Sequence, residues 1–262
     1  MKTDIDKALA SFRHLLEIMD ELREKCPWDK EQTFESLRTL TIEETYELAD
    51  AIAKESPVAI KKELGDLLLH IVFYAKIGSE TGDFTVDQVI DALSEKLIYR
   101  HPHIFGENTA NTPQEVKEQW EKLKLKEKGG NKTVLSGVPA ALPAMIKAHR
   151  MQDKARGVGF DWKEREQVWD KVNEELDELK NEIINADTKK TEAEFGDFLF
   201  SIINAARLYN INPENALEKT NAKFIRRFNY LEEQTIKKGI DLKQLSLDEM
   251  NSIWDEAKAK GL

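Results

Sequence analysis

The chain has 262 residues, of which 34% are charged and 40% apolar, and its formal net charge is −10. The negative charge argues against broad binding of nucleic acid, which requires a positive surface. The single cysteine, Cys26, excludes an intrachain disulfide, and no stretch reaches the roughly 20 apolar residues of a membrane span. We therefore expect a cytoplasmic protein that binds neither nucleic acid nor a membrane.

The first half of the chain predicts five helices. The whole chain holds 12 Gly and 7 Pro, few enough to favour helix over strand. The predicted helices cover residues 5–24, 41–54, 58–79, 85–99 and 113–128. We expect Thr41 to cap the second helix. The third is apolar around much of its circumference, which predicts that it is buried.

A segment rich in Gly and Pro follows, and then the helical pattern restarts. Residues 129–143 contain three Gly and two Pro, which predicts an interdomain linker. The later helices are predicted over residues 143–155, 164–185, 189–210, 213–238 and 246–259. The fourth of these begins at Pro213 behind the cap Asn212. We therefore predict an all-α fold of tandem duplicated helical-bundle domains, with the N-terminal domain at 1–128 and the C-terminal domain at 144–262.

A glutamate-rich motif occurs twice with unchanged internal spacing. The first copy reads EETYE, beginning at Glu43, and then ELGD, beginning at Glu63. The second copy reads EELDE from Glu174 and EFGD from Glu194, so both elements recur 131 residues later. A repeat at a fixed period indicates tandem duplication of one fold unit.

The acidic residues of each copy are spaced so that they share a helix face. Glu175 and Glu178 are three residues apart, as are Glu194 and Asp197. If the two helices pack antiparallel, four carboxylates converge, and such a cluster is stable only with cations among its members. Oxygen ligands alone suit Mg²⁺, Mn²⁺ or Ca²⁺ and disfavour Zn²⁺, and we expect Mg²⁺, with Mn²⁺ as a substitute. One EExxE sequence is usually a solvated helix face, but its pairing with ExxD in both copies favours a metal site.

Basic residues complete the second copy. Lys171 lies one turn before Glu175. Lys223, Arg226 and Arg227 lie together in the sequence KFIRR of a later helix. Such groups can hold phosphate oxygens that a metal leaves free, although basic pairs at this spacing are also common on plain solvent faces.

Asn204 is a further polar candidate in the second copy. It lies seven residues after Asp197, on a helix face with apolar neighbours. It could hydrogen-bond the edge of a base, or it could be a polar core residue whose hydrogen bonds are satisfied within the protein, and we favour the second interpretation.

Motifs along nearly the whole chain carry a resemblance to a known family. They are CPWDKEQT, EETYE, ELGD, RHPHIFG, GFDW, EELDE, EFGD and KFIRRF. This set resembles the MazG family of two-domain nucleoside triphosphate pyrophosphohydrolases, within the all-α NTP pyrophosphatase superfamily. The resemblance implies Mg²⁺-dependent hydrolysis of nucleoside and deoxynucleoside triphosphates to the monophosphate and pyrophosphate by metal-activated water, in a homodimer.

The resemblance also implies roles for individual residues. The metal ligands would be Glu175, Glu178, Glu194 and Asp197 in the second copy and Glu44, Glu47, Glu63 and Asp66 in the first. Glu174 would orient water or accept a proton beside the catalytic Glu175 and Glu178. The nucleotide would be contacted by Lys171, Lys223, Arg227 and Trp254, with Arg226 and Asn204 as further candidates.

The two copies are not equivalent in polarity. At the offset of 131, Lys171 corresponds to Leu40 and Asn204 to Phe73, so the first copy lacks polar groups that the second has. We therefore expect the second copy to carry the chemistry, with the first binding metal and nucleotide weakly or supporting the fold.

Other functions stay open at the level of sequence. A non-catalytic helical module that binds metal or a protein partner would carry the same acidic pattern. A narrow dUTP or dCTP pyrophosphatase of the same superfamily would share the chemistry. A regulatory protein partner, as yet unidentified, is compatible with all of these.

Overall fold

The computed structural model describes residues 4–127 and 133–262. Every regular element in these ranges is helical, which confirms the predicted all-α fold. Contacts divide the chain into two compact units, residues 1–110 and 111–262. No helix among the described residues is both long enough and apolar enough to cross a membrane.

The described part of the first unit contains six α-helices. They are α1 (Ile5–Lys25), α2 (Pro27–Glu31), α3 (Phe34–Ala53), α4 (Pro57–Thr81), α5 (Val86–Arg100) and α6 (Pro102–Phe105). The short helices α2 and α6 lie in segments between the predicted helices. Each begins with proline, which suits the first helical position because that residue needs no intrahelical hydrogen-bond donor.

The second unit contains the other six α-helices of the described residues. They are α7 (Pro113–Lys126), α8 (Ala144–Arg156), α9 (Val168–Asn185), α10 (Thr188–Leu208), α11 (Pro213–Gln234) and α12 (Leu247–Ala259). Asn212 caps α11 by accepting a hydrogen bond from the backbone N–H of Asn215, as predicted. The residues Ile236–Lys238, which we expected to continue this helix, form a separate 3₁₀ turn.

Helix α7 belongs to the second unit by its contacts. Its Glu121 accepts a hydrogen bond at 2.9 Å from the buried Lys154 of α8. This division by contacts falls before the boundary at residue 128 that the sequence predicts for the repeated domains, and that boundary stays a prediction. Of the predicted linker, residues 129–132 lie outside the described residues, and Leu135–Gly137 forms a 3₁₀ turn.

Two expectations about the first unit are wrong. Thr41 does not cap a helix, because α3 begins at Phe34, where Thr33 and Ser36 form a reciprocal capping box. Thr41 lies inside this helix and its hydroxyl donates to the carbonyl of Leu37.

Helix α4 is also less buried than its apolar sequence predicted. One side contributes Val72, Phe73 and Ile77 to a core with Met19 and Leu37. Other large apolar side chains of the same helix are exposed, namely Leu64, Leu68, Leu69 and Ile71.

Each acidic motif lies on a pair of helices joined by a short turn. Helices α3 and α4 are separated by residues 54–56, and α9 and α10 by residues 186–187. So short a connection makes the two helices antiparallel neighbours. In the second pair, Ala186 takes a left-handed conformation and Asp187 caps α10 by accepting from the N–H groups of Lys189 and Lys190. This turn sets the register in which the two halves of the motif face each other.

Candidate active site

Three carboxylates of the second motif converge between α9 and α10. Glu175 of α9 and Glu194 and Asp197 of α10 each offer an oxygen within 4.8 Å of the others. Glu178, the fourth predicted ligand, is exposed on α9 and does not belong to this tight group. The structure therefore brings together three of the four residues that the motif predicts.

Glu175 is buried because of its position on α9. Val172 lies three residues before it and Leu179 four residues after it, and both are core residues. All three share one helix face, and packing of Val172 with Ala205 of α10 carries the carboxylate into the interface between the two helices. Glu175 is only 8% exposed, and a buried carboxylate requires a charged or hydrogen-bonding partner.

The charges in this cluster oppose one another. Burial raises the pKa of Glu194, and the neighbouring carboxylates of Glu178, Asp197, Glu175 and Glu182 raise that pKa further. A cation placed among these groups would remove the repulsion.

Lys171 lies at one end of the cluster. Its ammonium group is 2.8 Å from Glu175 and 2.9 Å from Glu174. These two hydrogen bonds, the one to Glu175 being the stronger influence, raise the pKa of Lys171. Lys171 was predicted to contact nucleotide, and here it orients the two consecutive glutamates of the motif.

The first motif forms an equivalent cluster. Glu44 of α3 and Glu63 and Asp66 of α4 each offer an oxygen within 4.8 Å of the others. Burial, followed by the charges of Asp66 and Glu47, raises the pKa of Glu44. Glu47 stands outside the tight group, just as Glu178 does in the second copy.

Both clusters fit a hard divalent cation. All of the grouped ligand atoms are carboxylate oxygens, the donors that Mg²⁺ and Mn²⁺ prefer. One oxygen of Glu44 is buried and has no hydrogen-bond partner among the described residues. A buried carboxylate oxygen without a hydrogen-bond partner destabilises the folded state unless a cation coordinates it.

The predicted nucleotide-binding residues of α11 and α12 form a separate group. The guanidinium of Arg227 lies over the ring of Trp254, 6.0 Å from its centroid, and its Nε donates to the carbonyl of Leu262. Trp254 also contacts Phe224, with ring centroids 5.1 Å apart. Lys223 is partly exposed and Arg226 is exposed. The described contacts tie Arg227 and Trp254 to each other rather than to the acidic cluster.

Asn204 accepts hydrogen bonds from a neighbouring arginine. Its side-chain oxygen accepts hydrogen bonds from Nε and Nη2 of Arg207, at 3.0 and 2.9 Å. Arg207 is buried and also pairs with Asp161. This geometry favours the interpretation of Asn204 as a satisfied polar residue of the interior.

Sequence reasoning missed two charged residues of the clusters. Glu182 lies four residues after Glu178, and its charge acts on Glu194. Lys62 contacts the carboxylates of the first cluster. The signal for both was helical spacing, because Glu182 continues the face of Glu178 and Lys62 lies four residues before Asp66.

The fold and these clusters define a duplicated all-α protein in which each helix pair presents a carboxylate site suited to a divalent cation. A family model described as the MazG nucleotide pyrophosphohydrolase domain matches residues 32–105 and again residues 163–231. The chain belongs to this family, and each match contains one of the two acidic helix pairs.

Individual relatives extend the similarity to nearly the full length. A protein of Thermotoga maritima, named nucleoside triphosphate pyrophosphohydrolase/pyrophosphatase MazG, is 45% identical over 250 residues, covering 94% of this chain and 95% of its own. The nucleoside triphosphate pyrophosphohydrolase of Escherichia coli K12 is 41% identical over 251 residues, covering 93% and 95%. The uncharacterised protein YabN of Bacillus subtilis is 44% identical over 251 residues, covering 94% of this chain and 51% of its own.

Proposed function

We propose that this enzyme hydrolyses nucleoside and deoxynucleoside triphosphates to the monophosphate and pyrophosphate, using Mg²⁺ or Mn²⁺, and that its second unit carries the chemistry. The supporting observation is the convergence of Glu175, Glu194 and Asp197 beside Lys171. The names of the Thermotoga and Escherichia relatives supply the reaction class.

The acidic cluster would hold the metal, and each neighbouring residue has a task beside it. Mg²⁺ bound there would supply charge neutralisation for the triphosphate and would lower the pKa of water. Glu175 is buried and held by Lys171, so its oxygen is fixed before substrate arrives. Glu174 is exposed and bonded to the same lysine, which leaves its carboxylate positioned to accept a proton from water.

The residues of α11 and α12 would bind the nucleotide. Lys223, Arg226 and Arg227 place three positive charges within two turns of one helix, which suits the outer phosphates of the substrate. The ring of Trp254 is held by Phe224 and Arg227 and offers a surface for base stacking. Such a surface accepts every base, in keeping with broad specificity.

The first unit would contribute weakly to turnover. It retains a carboxylate cluster, but Leu40 and Phe73 stand where the second unit has Lys171 and Asn204. Leu40 cannot form the ion pairs by which Lys171 holds the two consecutive glutamates of the second motif. We propose a supporting role for it, with weak binding of metal and nucleotide.

The active form is proposed to be a homodimer. Large apolar side chains are exposed at the same four positions of α4 and α10, namely Leu64, Leu68, Leu69 and Ile71 in the first unit and Phe195, Leu199, Phe200 and Ile202 in the second. The first, second and fourth positions of each set form one stripe along the helix. A contiguous apolar face retained in both copies is typical of a surface that another subunit covers. The cytoplasm is the proposed location, since the chain has one cysteine and an acidic composition.

The test measures monophosphate and pyrophosphate from a panel of NTPs and dNTPs with Mg²⁺. The wild-type chain is compared with Glu175→Gln and with Glu44→Gln, the equivalent change in the first unit. The surface substitution Glu192→Gln in α10 is the matched control. We expect equimolar products, a loss of kcat on the order of 100-fold in Glu175→Gln, and small effects in Glu44→Gln and the control.

Each alternative has its own outcome in this assay. Turnover that survives Glu175→Gln but not Glu44→Gln would place the chemistry in the first unit. Hydrolysis confined to dUTP or dCTP would indicate the narrow enzyme. An absence of products from every nucleotide would support a module that binds metal or a protein without catalysis.

A further inference from the structure

The two acidic clusters share their geometry but differ at three equivalent positions in the charged groups that act on their ligands. Lys62, directly before Glu63 on α4, corresponds to Ala193 on α10 at the offset of 131. At a second position, the neutral Ala51 on α3 corresponds to the negatively charged Glu182 on α9. At the third position, Lys171 of the second unit, which pairs with the grouped ligand Glu175, corresponds to Leu40. Each cluster thus has one lysine on its ligands, and the second has one nearby carboxylate more.

Lys62 places its ammonium group on the ligand atoms of the first cluster. Its Nζ lies 3.0 and 3.1 Å from the two oxygens of Glu63 and 3.3 Å from Oδ2 of Asp66. It is also 3.9 Å from Glu47. Two of the three grouped ligands are thus already paired with a cation that belongs to the protein. A divalent ion must displace this ammonium group or share the carboxylates with it.

Glu182 adds an unused carboxylate beside the second cluster. One of its oxygens is buried and has no hydrogen-bond partner among the described residues. Its position, four residues after Glu178 and seven after Glu175, continues the acidic face of α9 toward α10. At the equivalent place in the first unit, Ala51 is a buried core residue that offers no charge.

We propose that Lys62 and Glu182 direct divalent cations to the second cluster, with Lys62 acting as a built-in monovalent substitute for the metal in the first. This inference rests on the proposed metal-binding role of both clusters. It explains how a duplicated chain concentrates its metal in one unit while the acidic motif is intact in both. The positive charge of Lys62 offsets the repulsion among the carboxylates of the first cluster, so they can lie close together in the folded unit without a metal.

The experiment measures binding of Mn²⁺ to the full chain without nucleotide, by the electron paramagnetic resonance signal of the free ion. Two double variants serve as backgrounds, and each of them retains only one of the two clusters. Glu194→Gln with Asp197→Asn leaves only the first cluster, and Glu44→Gln with Asp66→Asn leaves only the second. Lys62→Ala is then made in the first background, and Ala193→Lys and Glu182→Gln are each made in the second.

We expect Mn²⁺ to bind the second background more tightly than the first. Lys62→Ala should tighten binding about tenfold and Ala193→Lys should weaken it about tenfold, the scale expected for one charge a few ångströms from an ion near the surface. Glu182→Gln should weaken binding by a similar factor. Lys61→Ala on α4 and Glu192→Gln on α10 remove one positive and one negative charge at exposed sites, and they should leave the dissociation constant within about twofold.

The proposal is overturned if Lys62→Ala and Ala193→Lys both leave Mn²⁺ affinity unchanged, or if neither background binds Mn²⁺. Because Lys62 and Ala193 are exposed and Glu182→Gln keeps the side-chain shape, these variants are expected to fold. Turnover is assayed separately. If Mn²⁺ affinities shift as expected but no nucleotide is hydrolysed, the proposed roles of Lys62 and Glu182 in cation binding stand and the proposed function fails.

Discussion

Arg207 shows how one residue organises the interior of the second unit. Its guanidinium is buried and donates to both oxygens of Asp161, while Asn204 accepts two further hydrogen bonds from it. A buried cation is tolerable only with such partners. The network joins the segment before α9 to the C-terminal end of α10, the helix that carries Glu194 and Asp197, and so fixes the far end of that helix.

Asp161→Asn should therefore destabilise the protein strongly. The substitution keeps the side-chain shape but leaves Arg207 buried without its anion, which should lower the free energy of unfolding by about 3 kcal/mol. Urea denaturation would measure this change. The control is Asp177→Asn, which breaks an exposed pair with Lys180 and should cost less than about 0.5 kcal/mol. Equal stability of the two variants would show that the buried pair contributes little.

At the scale of elements, Arg23 fastens α1 to α4. Its side chain is 10% exposed, and its Nε donates to Glu80 at 3.0 Å. It also donates to the backbone carbonyls of Asp29 and Gln32, which hold the short helix α2 in place. The hydrogen bond from Arg23 lowers the pKa of Glu80 despite the opposing effect of burial.

This pair predicts a pH-dependent effect of Glu80→Gln. Because the pKa of Glu80 is lower in the folded state than in the unfolded state, its stabilising effect is present above its ordinary pKa and is lost as pH falls through the folded value. Glu80 is about one third exposed, so solvent screening limits the expected loss at neutral pH to about 1 kcal/mol.

The measurement is urea denaturation of wild type and Glu80→Gln from about pH 7 to about pH 3.5, where the difference between the two chains should shrink. Glu21→Gln, at an exposed pair with Lys25, is the matched control and should show no difference at any pH. A difference for Glu80→Gln that stays constant with pH would mean that its carboxylate charge is not responsible.

The sequence predicted where most helices lie better than it predicted the residues at which they begin or the faces they leave exposed. The spacing of apolar residues located α1, α4 and α10 to within a few residues, because packing of one helix face dominates their stability. The start of α3 was missed by seven residues, since Thr33 and Thr41 are both acceptable caps and only the capping box with Ser36 distinguishes them.

The candidate site was predictable where it depended on spacing within one helix. Glu194 and Asp197 lie on one face of α10, as their spacing of three residues predicted. Contacts that depend on how two helices meet were not predictable in this way. The pairing of Lys62 with Glu47 across α3 and α4 is an example, because its distance follows from the packing rather than from the repeat.

On the scale of the whole molecule, duplication has preserved a surface as well as a site. The four exposed apolar positions of α4 recur on α10. Leu68 and Ile71 are matched by the same residue types, and Leu64 and Leu69 are replaced by Phe195 and Phe200. Gly65 and Gly196 also face open space, since an added Cβ would meet nothing within 4 Å among the described residues. Neither glycine is thus required by packing inside its unit, and both are compatible with close approach of another subunit.

Leu199→Glu should separate the proposed dimer into monomers. Leu199 is 54% exposed, so a glutamate there is compatible with the folded unit but would place a charge in the buried part of the subunit interface. Light scattering coupled to size exclusion would show the mass fall to half, while the helical circular dichroism signal stays unchanged. Leu247→Glu makes the same chemical change at a 69% exposed position of α12 and should keep the mass of wild type. If wild type and Leu199→Glu have the same mass, this face of α10 is not what holds subunits together, and the repeated apolar stripe must serve another contact.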